Sequence, residues 1–246
     1  MCRLLAYAST EPATLTAIVG PTLSDFVELS KEHKHGWGVT TCASIGGVQE
    51  RERDLAPAVE SSLFAEVASS KPSDGALLHL RLASKGLAID LSNNHPFIHG
   101  DISFMHNGTI RPASSIEHLV DADLMGQLTS TTDSERYFFA ILSAAKKVGL
   151  IDGIAATVKE IANTSNYSAI NSITLTPDFL IAVCQYDEKE QSEWTVPFHY
   201  ELRFTKEDGA IKVASTGWGH DDWTPLTNGK MLVVNRADLS YKILDI

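Results

Sequence analysis

Cys2 carries the most informative chemistry in the chain, because removal of Met1 would put a thiol and a free α-amine on one residue. Unperturbed, the α-amine has a pKa of about 8 and the thiol one of about 8.5. The amine can therefore take the thiol proton, and the resulting thiolate can attack a carbonyl carbon. We expect Met1 to be removed, since cysteine is a small second residue. Burial for packing is the alternative role of a cysteine, so Cys2 needs support from other residues.

Asn107 and Gly108 give the first such support. Cleavage of an amide develops negative charge on its oxygen, and donors placed around that oxygen stabilise the charge. The Asn107 side-chain amide and the Gly108 backbone N–H suit this task on a tight turn that closes the strand Ile102–His106. A hairpin turn is the alternative interpretation of an Asn-Gly pair. The preceding histidine and the Asn-Asn-His-Pro loop at 93–96 favour a functional site instead.

Arg81 and Asp133 supply one positive and one negative side chain, which could hold a ligand that carries both charges. Arg81 ends an apolar run that reads as a buried strand, and its guanidinium can clamp a carboxylate with two parallel hydrogen bonds. Asp133 opens a predicted helix and can pair with an ammonium, although plain helix capping is its alternative role. Gly86 would let the loop after Arg81 approach the ligand closely.

In their order and spacing, five segments of the chain resemble the class II glutamine amidotransferases. The similarity extends from the N-terminus to the 132–135 segment and is greatest to stand-alone members. Those include relatives of the γ-glutamyl hydrolase of ergothioneine biosynthesis and of the glutaminase-like subunit in glutathione degradation. The segments are Cys2-Arg3, Gly36-Trp37-Gly38, Arg81–Gly86, Asn93–Phe97 with His106–Gly108, and Thr132–Glu135.

The resemblance implies an α+β N-terminal-nucleophile fold, a four-layer αββα sandwich of two antiparallel sheets. It implies that Cys2 is the nucleophile and that Asn107 and Gly108 form the oxyanion hole. It also implies that Arg81 and Asp133 bind the glutamyl head group. We add Gly86 and His106 to the expected substrate-binding residues.

The loop after Arg81 departs from the pattern of the synthetase-linked members. Those usually read Arg-Trp-Ala-Thr-His-Gly, whereas this chain has Leu82, Ser84 and Lys85. The missing aromatic and histidine count against the tight closure over glutamine that couples those enzymes to an ammonia tunnel.

Composition excludes several other classes of function. The chain has 246 residues and a net charge of −11, which argues against nucleic acid as a partner. Its three cysteines form no zinc or disulfide pattern, which fits a reducing compartment. No signal peptide or membrane-length apolar run is recognisable, so we expect a cytoplasmic protein. His95, His99 and His106 match no zinc spacing, and no phosphate loop occurs, so we expect neither metal nor cofactor.

The predicted elements form one domain over residues 1–246. Apolar patterns predict a buried strand at 4–8, a helix over 12–33 begun by a capping box at Thr22 and Asp25, and a buried strand at 75–82. A strand at 36–41 should return through a turn at 45–48 to Arg51. Helices are expected at 57–69, from Thr132 or Asp133, and at 153–162. The chain beyond residue 169 reads as β-rich.

Three functions remain open on the sequence alone. The first is an amidohydrolase for glutamine or a γ-glutamyl compound, acting alone or supplying a separate synthetase or peptidase chain. The second is a non-catalytic γ-glutamyl-binding or regulatory subunit that keeps the fold. The third is a hydrolase for a penicillin-like or bile-acid amide. Arg81 and Asp133 argue against the third, because an apolar acyl group has no use for two opposite charges.

Overall fold

The computed structural model describes residues 2–42, 47, 49–84, 86–189 and 199–246. The strands are β1 (Arg3–Ala13), β2 (Trp37–Cys42), β3 (Gln49–Asp54), β4 (Ser73–Leu80), β5 (Phe97–His99), β6 (Ile102–Arg111), β7 (Asn166–Leu175), β8 (Phe179–Cys184), β9 (Leu202–Glu207), β10 (Ala210–Ser215), β11 (Thr224–Leu226), β12 (Lys230–Asn235) and β13 (Tyr241–Asp245). The α-helices are α1 (Leu15–Val19), α2 (Leu23–Glu28), α3 (Ser62–Ser70), α4 (Ala122–Met125), α5 (Asp133–Val148) and α6 (Leu150–Thr164).

The strands form two antiparallel sheets with helices on the outer face of each. The first sheet has the order β11-β9-β10-β1-β4-β2-β3, and the second has the order β13-β12-β8-β7-β6-β5. Three apolar clusters match the three interfaces of an αββα sandwich. Trp37 and Phe64 pack edge to face between the first sheet and α3, while Phe104 and Phe138 stack between the second sheet and α5. The third cluster fills the space between the sheets. The predicted fold class is confirmed.

Strand β1 is the central strand of the first sheet, and the residue before it is Cys2. It pairs with β4 on one side and β10 on the other, so that Leu5 lies between Leu78 and Ala214. Every residue from Arg3 to Ser9 is buried, as the apolar pattern predicts, although the strand continues beyond residue 8. Hydrogen bonds on both edges therefore determine the position of the chain's N-terminal segment.

Strand β4 places Arg81 at the same end of the sheet as Cys2. All of its residues are buried, which confirms a strand covered on both faces, and it ends at Leu80, slightly earlier than predicted. Because β4 runs antiparallel to β1, the end of β4 lies beside the beginning of β1, with Leu80 opposite Arg3.

The prediction of one continuous helix over 12–33 is wrong. The segment forms α1 and α2, each followed by a 3-10 turn. Thr14, not Thr22, caps the first helix, and its hydroxyl accepts a hydrogen bond from Ala17 N at 3.2 Å. Pro21 explains the break, because proline has no N–H to continue the helical ladder and Gly20 before it has φ 74°.

Strands β2 and β3 form the predicted hairpin, with Trp37 opposite Asp54 and Cys42 opposite Gln49. Of the predicted turn, residues 45, 46 and 48 lie outside the described residues. Gly38 is required by close packing, as Gly36 is beside Asn94 and Asp54. A Cβ on residue 38 would overlap the carbonyl oxygen of His95, so only glycine lets the 93–96 loop lie against β2.

Asn107 and Gly108 do not form a turn, which corrects the prediction. Both lie inside β6, where Asn107 pairs with Asn171 and Gly108 with Ile170 of β7. A Cβ on residue 108 would overlap the carbonyl oxygen of Ala169. The glycine therefore serves the close approach of two strands, and the register shifts immediately after it, between Gly108 and Ile110.

Helix α5 begins with a side-chain cap at Thr132, one of the two predicted positions. The Thr132 hydroxyl accepts a hydrogen bond from Glu135 N at 3.2 Å. The Glu135 carboxylate accepts from the N–H groups of Thr129 and Ser130 at 2.9 and 2.6 Å. This network fixes the first turn of the helix, which carries Asp133.

We expect Thr132→Ala to lower the free energy of unfolding by about 1 kcal/mol, because one N–H of the first turn loses its acceptor. Urea denaturation measures this loss. Thr132→Ser keeps the hydroxyl and should recover most of it. Equal losses in the two variants would contradict the capping role.

The three cysteines lie in three different environments. Cys2 is partly buried at the start of β1, whereas Cys42 on β2 and Cys184 on β8 are fully buried, one in each sheet. Among the described helices, none combines the length and hydropathy that crossing a membrane requires.

Candidate active site

A small cavity of about 40 Å³ lies where the start of β1 meets the end of β4, the middle of β6 and the first turn of α5. Its lining brings together Cys2, Arg81, His106, Gly108 and Asp133, five of the predicted site residues.

The Cys2 sulfur is held by the backbone of one residue. Leu82 N donates to Cys2 Sγ at 3.4 Å, and the thiol can donate to Leu82 O at 3.6 Å. Burial raises the pKa of the Cys2 thiol above its ordinary value. The thiol is therefore protonated at neutral pH, and nucleophilic attack requires a base that removes its proton.

The segment that contacts Cys2 is anchored by residues just before β2. Ala83 N donates to His35 Nδ1 at 2.9 Å, His35 N donates to Arg81 O at 3.0 Å, and Arg81 N donates to Gly36 O at 2.8 Å. The roles of Leu82 and His35 are not predicted from the sequence. Backbone contacts such as those of Leu82 require no particular side chain, so the sequence holds no signal for them.

The Arg81 side chain is buried, and one of its two terminal guanidinium nitrogens is hydrogen-bonded. Its Nη2 donates to Ala88 O at 2.9 Å, while Nη1 has no hydrogen-bond partner among the described residues. Within that part of the chain, no carboxylate forms an ion pair with it, and burial lowers the pKa of the guanidinium. A buried guanidinium with an unpaired arm is suited to accept a carboxylate from a ligand.

Ala88 O accepts a second hydrogen bond, from Asn93 Nδ2 at 3.1 Å. Asn93 Oδ1 in turn accepts from Thr131 N at 3.2 Å. The loop after β4, the 91–96 turn and the approach to α5 are thereby joined around the arginine. Asn93 and His95 also line the cavity, as the quoted Asn-Asn-His-Pro motif suggests.

Asp133 is the first residue of α5 and lines the same cavity as Arg81. Its Oδ2 accepts a hydrogen bond from Ile110 N at 2.6 Å. The carboxylate thus helps to hold the irregular end of the β6–β7 pairing. Among the described residues its Oδ1 has no hydrogen-bond donor, which leaves it available to a ligand ammonium.

Asn107 differs sharply from the asparagine opposite it in the sheet. Both side chains are buried, but neither Oδ1 nor Nδ2 of Asn107 has a hydrogen-bond partner in the part of the chain that is described. Asn171 accepts from Gln185 N at 2.8 Å and donates to Tyr200 O at 2.5 Å. Asn107 shares the inter-sheet face of β6 with Met105, because side chains alternate along a strand. Asn107 is not in the lining of the cavity at Cys2, and several other buried side chains among the described residues also have unpartnered polar atoms, so its role as an oxyanion donor stays a prediction.

His106 lies on the opposite face of β6 and is already engaged. Its Nε2 is 3.2 Å from Ala169 O and its Nδ1 is 2.9 Å from Ser134 Oγ. Burial lowers the pKa of the ring, so it is neutral, with Nε2–H donating to the carbonyl and Nδ1 accepting from the serine. These contacts support a role in joining β6 to α5; substrate contact by His106 stays a prediction.

Gly86 lies in an exposed turn with φ 90°, and a Cβ added there would meet no atom within 4 Å. Its neighbours Ser84 and Leu87 line the cavity, but Gly86 does not. The backbone conformation explains the glycine here, and contact with a substrate stays a prediction.

The remaining buried histidines stay neutral. The rings of His79 and His95 stack with centroids 4.3 Å apart, and burial lowers the pKa of His79 to about 3. Among the described residues, no group of three or more histidine, cysteine or carboxylate side chains is arranged to hold a metal ion.

Comparison with known proteins yields one family match and several related folds. The family model described as "Glutamine amidotransferases class-II" matches residues 1–244. No curated protein sequence matches the chain.

The similar solved structures include a glutamine aminotransferase class-II domain protein from Silicibacter pomeroyi. It is 18% identical with a TM-score of 0.70, over 100% of this chain and 99% of that one. The glutamine phosphoribosylpyrophosphate amidotransferase of B. subtilis is 19% identical with a TM-score of 0.65, over 99% of this chain and 49% of that one. A predicted glutamine amidotransferase from Pseudomonas aeruginosa is 17% identical with a TM-score of 0.56, over 100% of both chains. These likenesses show the fold.

Proposed function

The chain belongs to the class II glutamine amidotransferases, and from that premise we propose that it hydrolyses the γ-amide of glutamine or of a γ-glutamyl compound through a thioester on Cys2. The observation that carries the proposal is a single cavity lined by Cys2, Arg81, Asp133 and Gly108. It combines a thiol with one cationic and one anionic group, which is what a glutamyl head group requires.

The first half of the reaction forms the thioester. The α-amine of Cys2, freed by removal of Met1, takes the proton from Sγ, and the thiolate attacks the γ-carbonyl carbon. Negative charge moves to the carbonyl oxygen, where the Asn107 amide and the Gly108 N–H donate to it. The C–N bond then breaks, the ammonium of Cys2 returns its proton to the leaving nitrogen, and ammonia or an amine departs.

The second half releases glutamate. The α-amine takes a proton from water, and the hydroxide oxygen attacks the thioester carbon. The same donors hold the oxyanion, the C–S bond breaks, and Sγ recovers a proton from the ammonium. The raised pKa of the Cys2 thiol supports a mechanism with a base, because the free thiolate is scarce at neutral pH.

Arg81 and Asp133 orient the substrate in this proposal. The unpaired Nη1 of Arg81 binds the α-carboxylate, and Asp133 Oδ1 pairs with the α-ammonium. Holding both ends of the head group places the γ-carbonyl against Sγ, which contributes to rate by orientation. A γ-glutamyl substrate bound in this way needs no cofactor.

We expect Arg81→Lys to raise KM for glutamine by about 10- to 100-fold, because lysine keeps the charge but loses the two-armed fork. Steady-state glutamate release measures this effect. The matched substrate is 4-aminobutanamide, which is glutamine without its α-carboxylate. Wild type and Arg81→Lys should process it equally, and an equal loss on both substrates would contradict the carboxylate contact.

A panel of γ-glutamyl amides, with glutamate as the readout, tests the proposed function itself. Turnover by the isolated chain supports a free-standing hydrolase. Stimulation only by an added synthetase or peptidase chain supports ammonia supply to a partner. Binding of glutamate with no turnover of any γ-glutamyl amide, by protein whose intact mass starts at Cys2, contradicts catalysis and favours the non-catalytic subunit.

A further inference from the structure

A second cavity, of about 430 Å³, lies beside the turn at 91–97 and is separate from the one that contains Cys2. Strand β3, the start of β5, the 127–129 segment and the first half of α5 surround it. The side chains that matter for its chemistry are Arg51, Arg53, Phe97, His99, Glu135 and Phe139.

The two arginines put concentrated positive charge on this cavity. Arg51 and Arg53 project from the same face of β3, since they are two positions apart. Among the described residues neither forms an ion pair, although the chain has a net charge of −11. Burial, and after it the charge of Arg51, lower the pKa of Arg53 to about 10. An anion between the two guanidiniums would relieve that repulsion.

The only carboxylate in the described lining is already committed to backbone donors. Glu135 accepts from Thr129 N at 2.9 Å, from Thr129 Oγ1 at 2.8 Å and from Ser130 N at 2.6 Å. It attracts Arg51 and Arg53 at longer range but forms no hydrogen bond with either, and Asp90, outside the lining, also attracts Arg53. The cavity therefore keeps a net positive charge.

Each guanidinium retains donors for a ligand. Arg53 Nη1 donates to Leu91 O at 2.7 Å and to Asn94 O at 2.9 Å, and Arg51 Nη1 donates to Pro96 O at 3.2 Å. In the described part of the chain the Nε and Nη2 groups of both residues have no acceptor. Two such forks match the oxygens of a phosphate or carboxylate.

The wall beside the arginines is aromatic. Phe97 and Phe139 line the cavity, and the His99 ring meets Phe139 edge to face at 5.8 Å. We propose that this cavity binds a small organic anion, in which a phosphate or carboxylate lies between Arg51 and Arg53 and a flat apolar group lies against Phe97 and Phe139. The alternative is a purely structural role, in which the two arginines only stabilise the 91–96 turn by donating hydrogen bonds to its carbonyl groups.

Calorimetric titration of the full chain with phenyl phosphate tests the proposal. We expect saturable binding of phenyl phosphate and benzoate, weaker binding of inorganic phosphate, and none of phenol. The Arg51→Gln/Arg53→Gln double variant should bind about tenfold or more weakly, since it loses the charge-assisted hydrogen bonds to the anion. Lys71→Gln, which removes a cation paired with Glu50 and Glu52 on the same strand, should bind as wild type does.

Two further variants keep the test decisive if the double variant folds poorly. Gln127→Glu adds a negative charge at the exposed edge of the cavity and leaves both arginines in place, so it should weaken phenyl phosphate several-fold. Arg81→Gln should leave the binding intact, which separates this cavity from the one at Cys2. Absence of saturable binding to wild type, binding lost with Arg81→Gln, or binding unaffected by Gln127→Glu and by the double variant would each overturn the proposal.

Discussion

Replacement of Cys2 by alanine is expected to reduce glutamate release to background, a loss on the order of 10⁴-fold or more, because no other group can form the acyl intermediate. The fold should survive. Cys2 precedes β1 rather than lying within its ladder, and its sulfur makes only weak contacts with the backbone of Leu82. The far- and near-ultraviolet circular dichroism spectra should therefore match those of the wild type.

Cys42→Ala is the matched control, since that thiol is buried in β2 away from the cavity and should be dispensable for turnover. A second experiment tests whether the free α-amine of Cys2 is needed for turnover. A protein made with a removable extension before Cys2 should be inactive until a protease exposes Cys2 as the first residue. Turnover by the extended protein, or by Cys2→Ala at a rate near that of the wild type, would contradict the thiol–amine mechanism.

Asn107→Ala is expected to lower kcat by about 10²- to 10³-fold with little change in KM, as for the loss of one oxyanion donor. The free energy of unfolding should change little. Both polar atoms of this buried amide lack partners among the described residues, so their removal leaves no group newly unsatisfied. We therefore expect this substitution to lower kcat while the free energy of unfolding stays nearly unchanged.

For Asn171→Ala, at the directly paired position, we expect the opposite result: a loss of stability without a loss of kcat. That substitution removes the acceptor of Gln185 N and one donor to Tyr200 O, so it should cost about 1–3 kcal/mol of stability while the chemistry at Cys2 persists. Kinetics and urea denaturation of the two variants give the comparison. If Asn107→Ala were as destabilising as Asn171→Ala and kept its kcat, Asn107 would be a structural residue.

Most of the architecture follows from local patterns in the sequence. The apolar run at 75–82 predicts β4, and the Thr132 cap predicts the start of α5, because burial and capping are local requirements. The predicted helix over 12–33 is interrupted by the Gly20-Pro21 pair, a signal that is also present in the sequence.

The turn at Asn107-Gly108 fails for a reason that is not local. An Asn-Gly pair favours a hairpin, but here the glycine is required by the Ala169 carbonyl of a strand some sixty positions later. Contacts of that range have no signature in a single sequence. The same holds for Leu82, whose backbone meets Cys2, and for Ala88, whose carbonyl occupies one arm of Arg81.

Because of where the three cysteines lie, the rates at which their thiols are alkylated can measure local opening of the protein. With one partly buried thiol at the cavity and one fully buried thiol in each sheet, an alkylating reagent should modify Cys2 before the other two. Cys42 and Cys184 should react only when the layer that contains each of them separates. Mass spectra of peptides collected during slow alkylation would then give separate opening free energies for the two halves of the sandwich, without any added probe.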